Sequence, residues 1–193
     1  MKVIYCLNGN LISCSLDNKI KIWKENNNNN YDNIQILTHS KKVYSILLLE
    51  DKNILISSGY DGTKFWNLNK INNCIKYFGD TFSGWNGGLC RLDEDRIIVQ
   101  GNKKYSLKVI SISNLNIIKE INNTFHSYAI TLIEDKGIFI VGGVSKDIRI
   151  YRNDNYECIQ TIQNADEISG FIELKDSSIA SYSCDKTIKI WIF

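Results

Sequence analysis

Read as a pattern of apolar and polar positions, the chain is a series of short runs. β-branched and aromatic residues come in groups of roughly four to seven, separated by polar turns. The stretch after Lys42 shows the pattern most clearly. Val43 to Leu49 predicts a strand, Glu50-Asp51-Lys52-Asn53 a turn, and Ile54 to Ser58 a second strand. A turn over Gly59 to Gly62 follows, then strands over Thr63 to Trp66 and Cys74 to Phe78. Helical spacing of apolar residues is hard to find anywhere. The pattern predicts an all-β chain.

The same layout recurs when the chain is slid along itself. LNGNLISCSLDNKIKIW ends at Trp23, LEDKNILISSGYDGTKFW at Trp66 and ELKDSSIASYSCDKTIKIW at Trp191. IEDKGIFIVGGVSKDIRIY ends at Tyr151, and the weakest copy, RLDEDRIIVQGNKKYSLKVI, at Ile110. These ends are about forty residues apart, so the chain reads as five four-stranded units within one domain. Their approximate bounds are 1–37, 38–80, 81–122, 123–163 and 164–193. The fifth ends directly after its third strand.

Composition narrows the function classes. The 23 basic and 21 acidic side chains nearly cancel, which gives no strong nucleic-acid signal. No apolar run reaches the roughly 20 residues needed to span a bilayer. MKVIYCLNGN has one lysine and a short apolar stretch broken by Asn8-Gly9-Asn10, the pattern of neither a signal nor a transit peptide. A cytoplasmic chain is expected, with the nucleus left open, and its six cysteines are expected as free thiols. They form no CxxC pair and only two histidines accompany them, so neither a metal site nor another cofactor is expected. Asn26 to Asn30 reads as a tolerated surface-loop insertion between strands ending at Trp23 and beginning near Ile34.

The endings SLDNKIKIW, GYDGTKFW and SCDKTIKIW, with THSKKVYSI at Thr38 to Ile46, resemble the WD40-repeat family of β-propellers over essentially the whole chain. The resemblance implies a structural tetrad of His39, Ser57, Asp61 and Trp66 in the second unit. Partial tetrads stand at Ser13, Asp17 and Trp23 and at Ser181, Asp185 and Trp191. The fourth unit has Ser145 and Tyr151 at the Asp and Trp positions, and the third ends in Ile110 without a clear Asp. The second unit is one residue short between Asp61 and Trp66. Aligned on the EDK turns, His126 falls opposite Lys42 and is not a tetrad histidine. A Ser-His-Asp set also suggests a hydrolase, but the repeat accounts for all three residues and no GxSxG elbow is present. No residue is assigned a catalytic role.

The resemblance further implies a binding platform for protein or peptide partners, a non-catalytic scaffold or adaptor. Positions just before the first strand of a unit are Lys42, Trp85, His126 and Glu167; those before the Asp position are Leu16, Tyr60, Val144 and Cys184. In the family both classes lie near the top rim, which makes Lys42, Tyr60, Trp85, His126 and Glu167 the candidate protein-binding residues, with the aromatics as anchors. A lipid- or small-ligand-binding propeller is the alternative, although the FRRG motif of phosphoinositide binders is absent. An enzyme is the third reading. Five units fall short of the family's usual ring of about seven. This leaves three expectations open: further repeats complete a partial or open propeller, five units close with a gapped seam, or self-association or a partner completes the seam.

Overall fold

The computed structural model describes residues 2–6, 9–71, 73–81, 88–101, 105–122, 126–163, 166–176 and 178–192. It is all-β, with five antiparallel sheets in two compact units, Met1–Ser83 and Gly84–Phe193. The first unit holds two sheets. Sheet 1 runs in the order β1 (Lys2–Tyr5), β2 (Leu11–Cys14), β3 (Lys19–Glu25) and β4 (Tyr31–Thr38). Sheet 2 repeats it with β5 (Val43–Leu49), β6 (Ile54–Gly59), β7 (Gly62–Asn67) and β8 (Asn73–Phe78).

The second unit holds three sheets. Sheet 3 comprises β9 (Leu89–Arg91), β10 (Arg96–Gln100), β11 (Leu107–Ser111) and β12 (Ile117–Ile121). Sheet 4 comprises β13 (Ser127–Ile133), β14 (Ile138–Gly143), β15 (Asp147–Arg152) and β16 (Cys158–Gln163). Sheet 5 has three strands among the described residues: β17 (Ile168–Glu173), β18 (Ile179–Ser183) and β19 (Ile188–Trp191). The last unit is incomplete, as its sequence predicts.

Turn chemistry explains why these strands pair as consecutive hairpins. The two EDK sequences each form one 3-10 turn, Glu50–Lys52 and Glu134–Lys136, followed by a left-handed residue, Asn53 or Gly137. Asn and Gly are the residues that adopt this conformation at least cost. Between the second and third strands, sheets 1 and 5 use a three-residue turn. Ser15 donates its backbone N–H to Lys19 and Ser183 donates to Thr187, with Asn18 and Lys186 left-handed. Sheet 2 is one residue shorter here because its turn is tighter. Gly59 pairs directly with Gly62, whose φ of 132° is open only to glycine.

The asparagine run is more ordered than a neutral insertion. β3 and β4 extend to a Glu25–Tyr31 pair, and Asn26 to Asn30 closes the hairpin. The Asn26 side-chain oxygen accepts from the backbone N–H groups of Asn28 and Asn30, and its amide donates to Asp32. Asn29 takes the left-handed conformation. The run lies at the surface, and its first residue organises the turn.

The cores form between facing sheets. In the first unit Ile12, Cys14, Ile20, Ile22 and Leu37 of sheet 1 pack on Val43, Ile46, Leu55 and Trp66 of sheet 2. In the second unit sheet 4 is apolar on both faces. Phe139, Val141 and Tyr151 join the sheet-3 cluster, while Ile138, Ile140, Ile148 and Ile150 join that of sheet 5. This two-sided burial is why IFIV in β14 is a continuous apolar run rather than an alternating one.

Candidate functional site: the tetrad and the rim it holds

Sheet 2 carries a four-residue hydrogen-bond chain. The Trp66 Nε1–H donates to Ser57 Oγ at 2.7 Å, and Ser57 Oγ lies 2.7 Å from His39 Nε2. His39 Nδ1 lies 2.5 Å from Asp61 Oδ1. An indole N–H can only donate, so the Ser57 hydrogen is free to point at His39 Nε2, and the His39 proton then sits on Nδ1 facing Asp61. The second Asp61 oxygen accepts from the backbone N–H and the hydroxyl of Ser40 at 2.7 and 2.8 Å. Every link binds an element to its neighbour, so the segment before β5 is locked to the β6–β7 turn.

The electrostatics agree with this proton arrangement. Burial holds the His39 imidazole below its ordinary value, even though Asp61 acts in the opposite direction. Burial opposes ionisation of Asp61, yet the bonds from His39 and Ser40 prevail and hold its carboxyl below the usual range. The pair is a neutral imidazole donating to a carboxylate.

Ser57, His39 and Asp61 therefore have the hydrogen-bond order of a hydrolytic triad. What they lack is access. Ser57 is fully buried, its hydroxyl also receives the Trp66 indole, and His39 is buried beside it. A nucleophile must meet a substrate carbonyl and an oxyanion hole, and this one meets neither. The arrangement works as structure.

The other sheets follow a rule at this position. Trp23 donates to Ser13 at 2.9 Å and Trp191 to Ser181 at 2.8 Å. In sheet 4 the second-strand residue is Val141 and the aromatic is Tyr151, which stacks on Phe139 at 5.0 Å. In sheet 3 Val99 accompanies Ile110. An indole is used only where a serine supplies its acceptor, because a buried unpaired N–H is costly. Asp17 and Asp185 have no histidine bound to them. Each caps its own turn instead, accepting from the backbone N–H of Lys19 or Thr187. Ser145 does the same in sheet 4, accepting from the Asp147 N–H.

Above the tetrad of sheet 2 lies an open pocket of about 370 Å³ lined by Asn18, Ser40, Lys41, Lys42, Tyr44 and Tyr60. The Tyr60 N–H donates to the Lys42 carbonyl at 2.9 Å, and the His39 N–H donates to the Asn18 carbonyl at 2.9 Å. Three turns are thereby joined at one rim. Tyr60 is 55% exposed, and the Lys41 ammonium stands 5.0 Å from its ring centre. Two ammonium groups and two phenols line the pocket, and none of its six lining residues is acidic.

Of the sequence-derived rim residues, Lys42 and Tyr60 meet here. Trp85 lies outside the described residues, as do Asn86 and Gly87. His126 is half-buried and engaged: Gln100 Nε2 lies 2.8 Å from its Nδ1, and the Tyr105 ring packs edge-on at 4.4 Å. Burial holds its imidazole below the ordinary value. Glu167 is half-buried, and its carbonyl accepts from the Cys184 N–H and the Ser183 hydroxyl. Leu16 and Cys184 are exposed and Val144 is half-buried. Ser40, Lys41, Asn18 and Tyr44 were not singled out in the sequence. The visible signal for two of them was the unbroken Ser40-Lys41-Lys42 run after the tetrad histidine.

No helix among the described residues is long and apolar enough to cross a membrane. No group of three metal-ligating side chains occurs among them, and all six cysteines are free.

The model of the WD domain, G-beta repeat, matches residues 2–24, which run from β1 into β3, and residues 32–67, which run from β4 through β7. No curated protein matches by sequence comparison. Among solved structures, the WD40 beta propeller domain of Doa1 is similar with a TM-score of 0.78 at 20% identity, over 95% of this chain and 60% of that one. The computationally designed Ika8 protein is similar with a TM-score of 0.78 at 16% identity, over 99% and 57%. The chain thus spans about 60% of the length of these relatives in fold. Such low identity establishes the fold alone. Two stretches of the chain, residues 2–24 and 32–67, thus match the WD domain, G-beta repeat, and its fold is similar to that of WD40 β-propellers.

Proposed function

We propose that the chain is a non-catalytic binding platform, and that the pocket over sheet 2 receives an acidic, extended peptide segment of a protein partner. One observation carries this reading: Lys41, Lys42, Tyr44 and Tyr60 converge on a single rim whose backbone is pinned by the buried tetrad. Exposed aromatics supply contact area at low entropic cost, and paired lysines attract carboxylates. WD40 propellers are in general protein-interaction scaffolds, which supports the class of function. The small-ligand alternative has less support, because the pocket is open to solvent rather than enclosed.

The test is a displayed peptide library panned against the chain and against a Lys41→Glu, Lys42→Glu, Tyr60→Ala variant. Peptides enriched in Asp and Glu are expected on the parent, with at least tenfold weaker capture by the variant, and with weakening at higher salt. Equal capture by both proteins would refute the pocket. Enrichment of basic or neutral sequences would refute the assigned chemistry.

A further inference from the structure

A second recess opens in the first unit, at the strand ends opposite the rim pocket. The rim pocket lies at the β4–β5 and β6–β7 turns. This recess, of about 440 Å³ and partly enclosed, lies at the β1–β2, β5–β6 and β7–β8 turns, which close the other ends of the same hairpins. Its volume is that of an ordinary ligand site. Ile12, Ile22, Leu48 and Leu68 line it together with Cys6. Ile12, Ile22 and Cys6 are at most 5% exposed, so the recess reaches down to the core between sheets 1 and 2.

Backbone bonds fix the walls. The Cys6 N–H donates to the Asn10 carbonyl at 2.8 Å, and the Asn53 N–H to the Glu50 carbonyl at 3.2 Å. The Leu68 N–H donates to the Asn53 carbonyl at 2.9 Å, which joins the β5–β6 turn to the segment leaving β7. β4 supplies a further wall through a bulge. Ile34 is the extra residue at the Ile22/Trp23 step, and Gln35 pairs with Ile22. Regular alternation would turn one of two successive side chains away, whereas at this bulge Ile34 and Gln35 both line the recess.

Two side chains define what the recess takes. Gln35 Nε2 is buried and has no hydrogen-bond partner among the described residues. A buried N–H without an acceptor is costly, and a carbonyl oxygen brought into the recess removes that cost. Glu50 is the one charged residue among the described residues that line the recess. Burial pushes the Cys6 thiol up and the Glu50 carboxylate adds to the effect, which puts the negative charge within reach of the apolar floor. Asn53 and Asn69, exposed at the mouth, carry carboxamides that can both donate to and accept from peptide groups. An apolar floor, a donor awaiting a carbonyl and a lone negative charge complement a peptide with a large apolar side chain beside a basic one.

We propose that this recess is a second peptide site, which takes an apolar–basic segment of a protein partner. The apolar side chain lies on Ile12, Ile22, Leu48 and Leu68, a backbone carbonyl accepts from Gln35 Nε2, and the neighbouring Arg or Lys meets Glu50. The site is independent of the rim pocket, whose lysines select the opposite charge at the opposite end of the strands.

NMR of the intact, isotope-labelled chain tests this, because the Gln35 side-chain N–H groups are themselves signals. The probes are capped peptides Gly-X-Arg-Gly and Gly-Arg-X-Gly, with Leu, Phe or Trp as X. Controls replace Arg by Glu or X by Ser. At least one probe is expected to shift the Gln35 side-chain amide and the Asn53 and Leu68 backbone amides saturably, with both of its controls about tenfold weaker or more. Gln35→Leu is expected to weaken binding about tenfold, and Glu50→Gln to erase the preference for Arg over Glu. An unchanged Trp66 indole signal shows that each variant keeps its tetrad and its fold. The Lys41→Glu, Lys42→Glu, Tyr60→Ala chain is expected to bind the probe as the parent does. No binding by any probe, saturation without a shift at Gln35, or equal binding of the Glu control would overturn the proposal. Loss of binding in the rim variant would place the probe in the rim pocket and overturn it as well. Phenylpropylamine binding as tightly as the best probe would assign the recess to a small ligand, and a Gln35 shift that grows with protein concentration alone would assign it to a second copy. Either result overturns the peptide assignment.

Discussion

Asp61 is the residue on which the sheet-2 rim depends, because one carboxylate serves both His39 and Ser40. Asp61→Ala orphans the buried His39 donor, at a cost of about 1–3 kcal/mol. Trp66→Ala empties a buried site between sheets 1 and 2 and is expected to cost about 3–5 kcal/mol. Lys42→Ala, at an exposed position, should stay within about 0.5 kcal/mol. Urea titration of the three variants checks the order, and equal midpoints would refute the structural role of the tetrad. The same residues set an acid response. His39 and Asp61 both titrate below their ordinary values of 6.5 and 3.8 when folded. Stability is thus complete above 6.5, falls as pH drops through the folded value of His39, and falls again as Asp61 protonates. Asp61 and Lys64 are the charged groups acting on His39. Unfolding midpoints measured from pH 7.5 to 4 should decline, and His39→Gln should flatten the upper part of the curve by at most about 1.4 kcal/mol per pH unit. The residual slope belongs to His126, whose burial acts in the same direction.

At the scale of elements, turns rather than strands separate the five sheets from one another. The Asn26 side chain holds the β3–β4 hairpin through two backbone donors, so Asn26→Ala should cost about 1–2 kcal/mol, whereas Asn28→Ala should be nearly neutral. Replacing Asn26 to Asn30 by a two-residue Asn-Gly turn supplies the same closure and should leave the chain folded. Circular dichroism melts distinguish these outcomes. Gly62 is the stricter position. An added Cβ would lie 2.2 Å from the Phe78 carbonyl oxygen at a φ that L-residues avoid, so Gly62→Ala should destabilise by well over ~1 kcal/mol. Gly137, also left-handed but in open space, should tolerate alanine with a cost of about 1 kcal/mol.

Across the whole molecule, the cysteines report how burial is distributed. Cys74, Cys158 and Cys184 are exposed, Cys90 is intermediate, and Cys6 and Cys14 lie in the core between sheets 1 and 2. Burial also pushes the Cys6 and Cys14 thiols up, which suppresses the reactive thiolate. A disulfide-exchange reagent should modify the three exposed thiols promptly in the native chain. Cys6 and Cys14 should react only as fast as the first unit opens, and denaturant should accelerate them selectively. Prompt reaction of all six would mean that the first unit lacks a stable core.

The strands, the five-fold repeat and the Ser–Trp pairing were legible along the chain because their causes are local. Side-chain alternation, EDK turns and an indole that needs a nearby acceptor all act within one sheet. The fourth strands were harder to see. Each of the four complete sheets carries an exposed Ile there on a bulge, Ile34, Ile75, Ile118 or Ile159, which only the register reveals. The rim pocket was half legible: Lys42 and Tyr60 stood in the repeat, while Asn18 and Tyr44 join them only when separate turns meet. His126 looked like a free anchor, and folding gives its ring to Gln100 and Tyr105. Ser57, His39 and Asp61 could be read as catalytic or structural until burial removed the first option. The clearest case is the phrase shared by β3 and β19. Ile-Lys-Ile-Trp is identical at Ile20 to Trp23 and Ile188 to Trp191, and it makes the same strand and the same indole bond in both places. In β3 both isoleucines are buried under β4 and sheet 2, whereas in β19 both stand in water. Strand formation depends on the residues themselves, but burial depends on what packs against them, and no four-residue phrase carries that information.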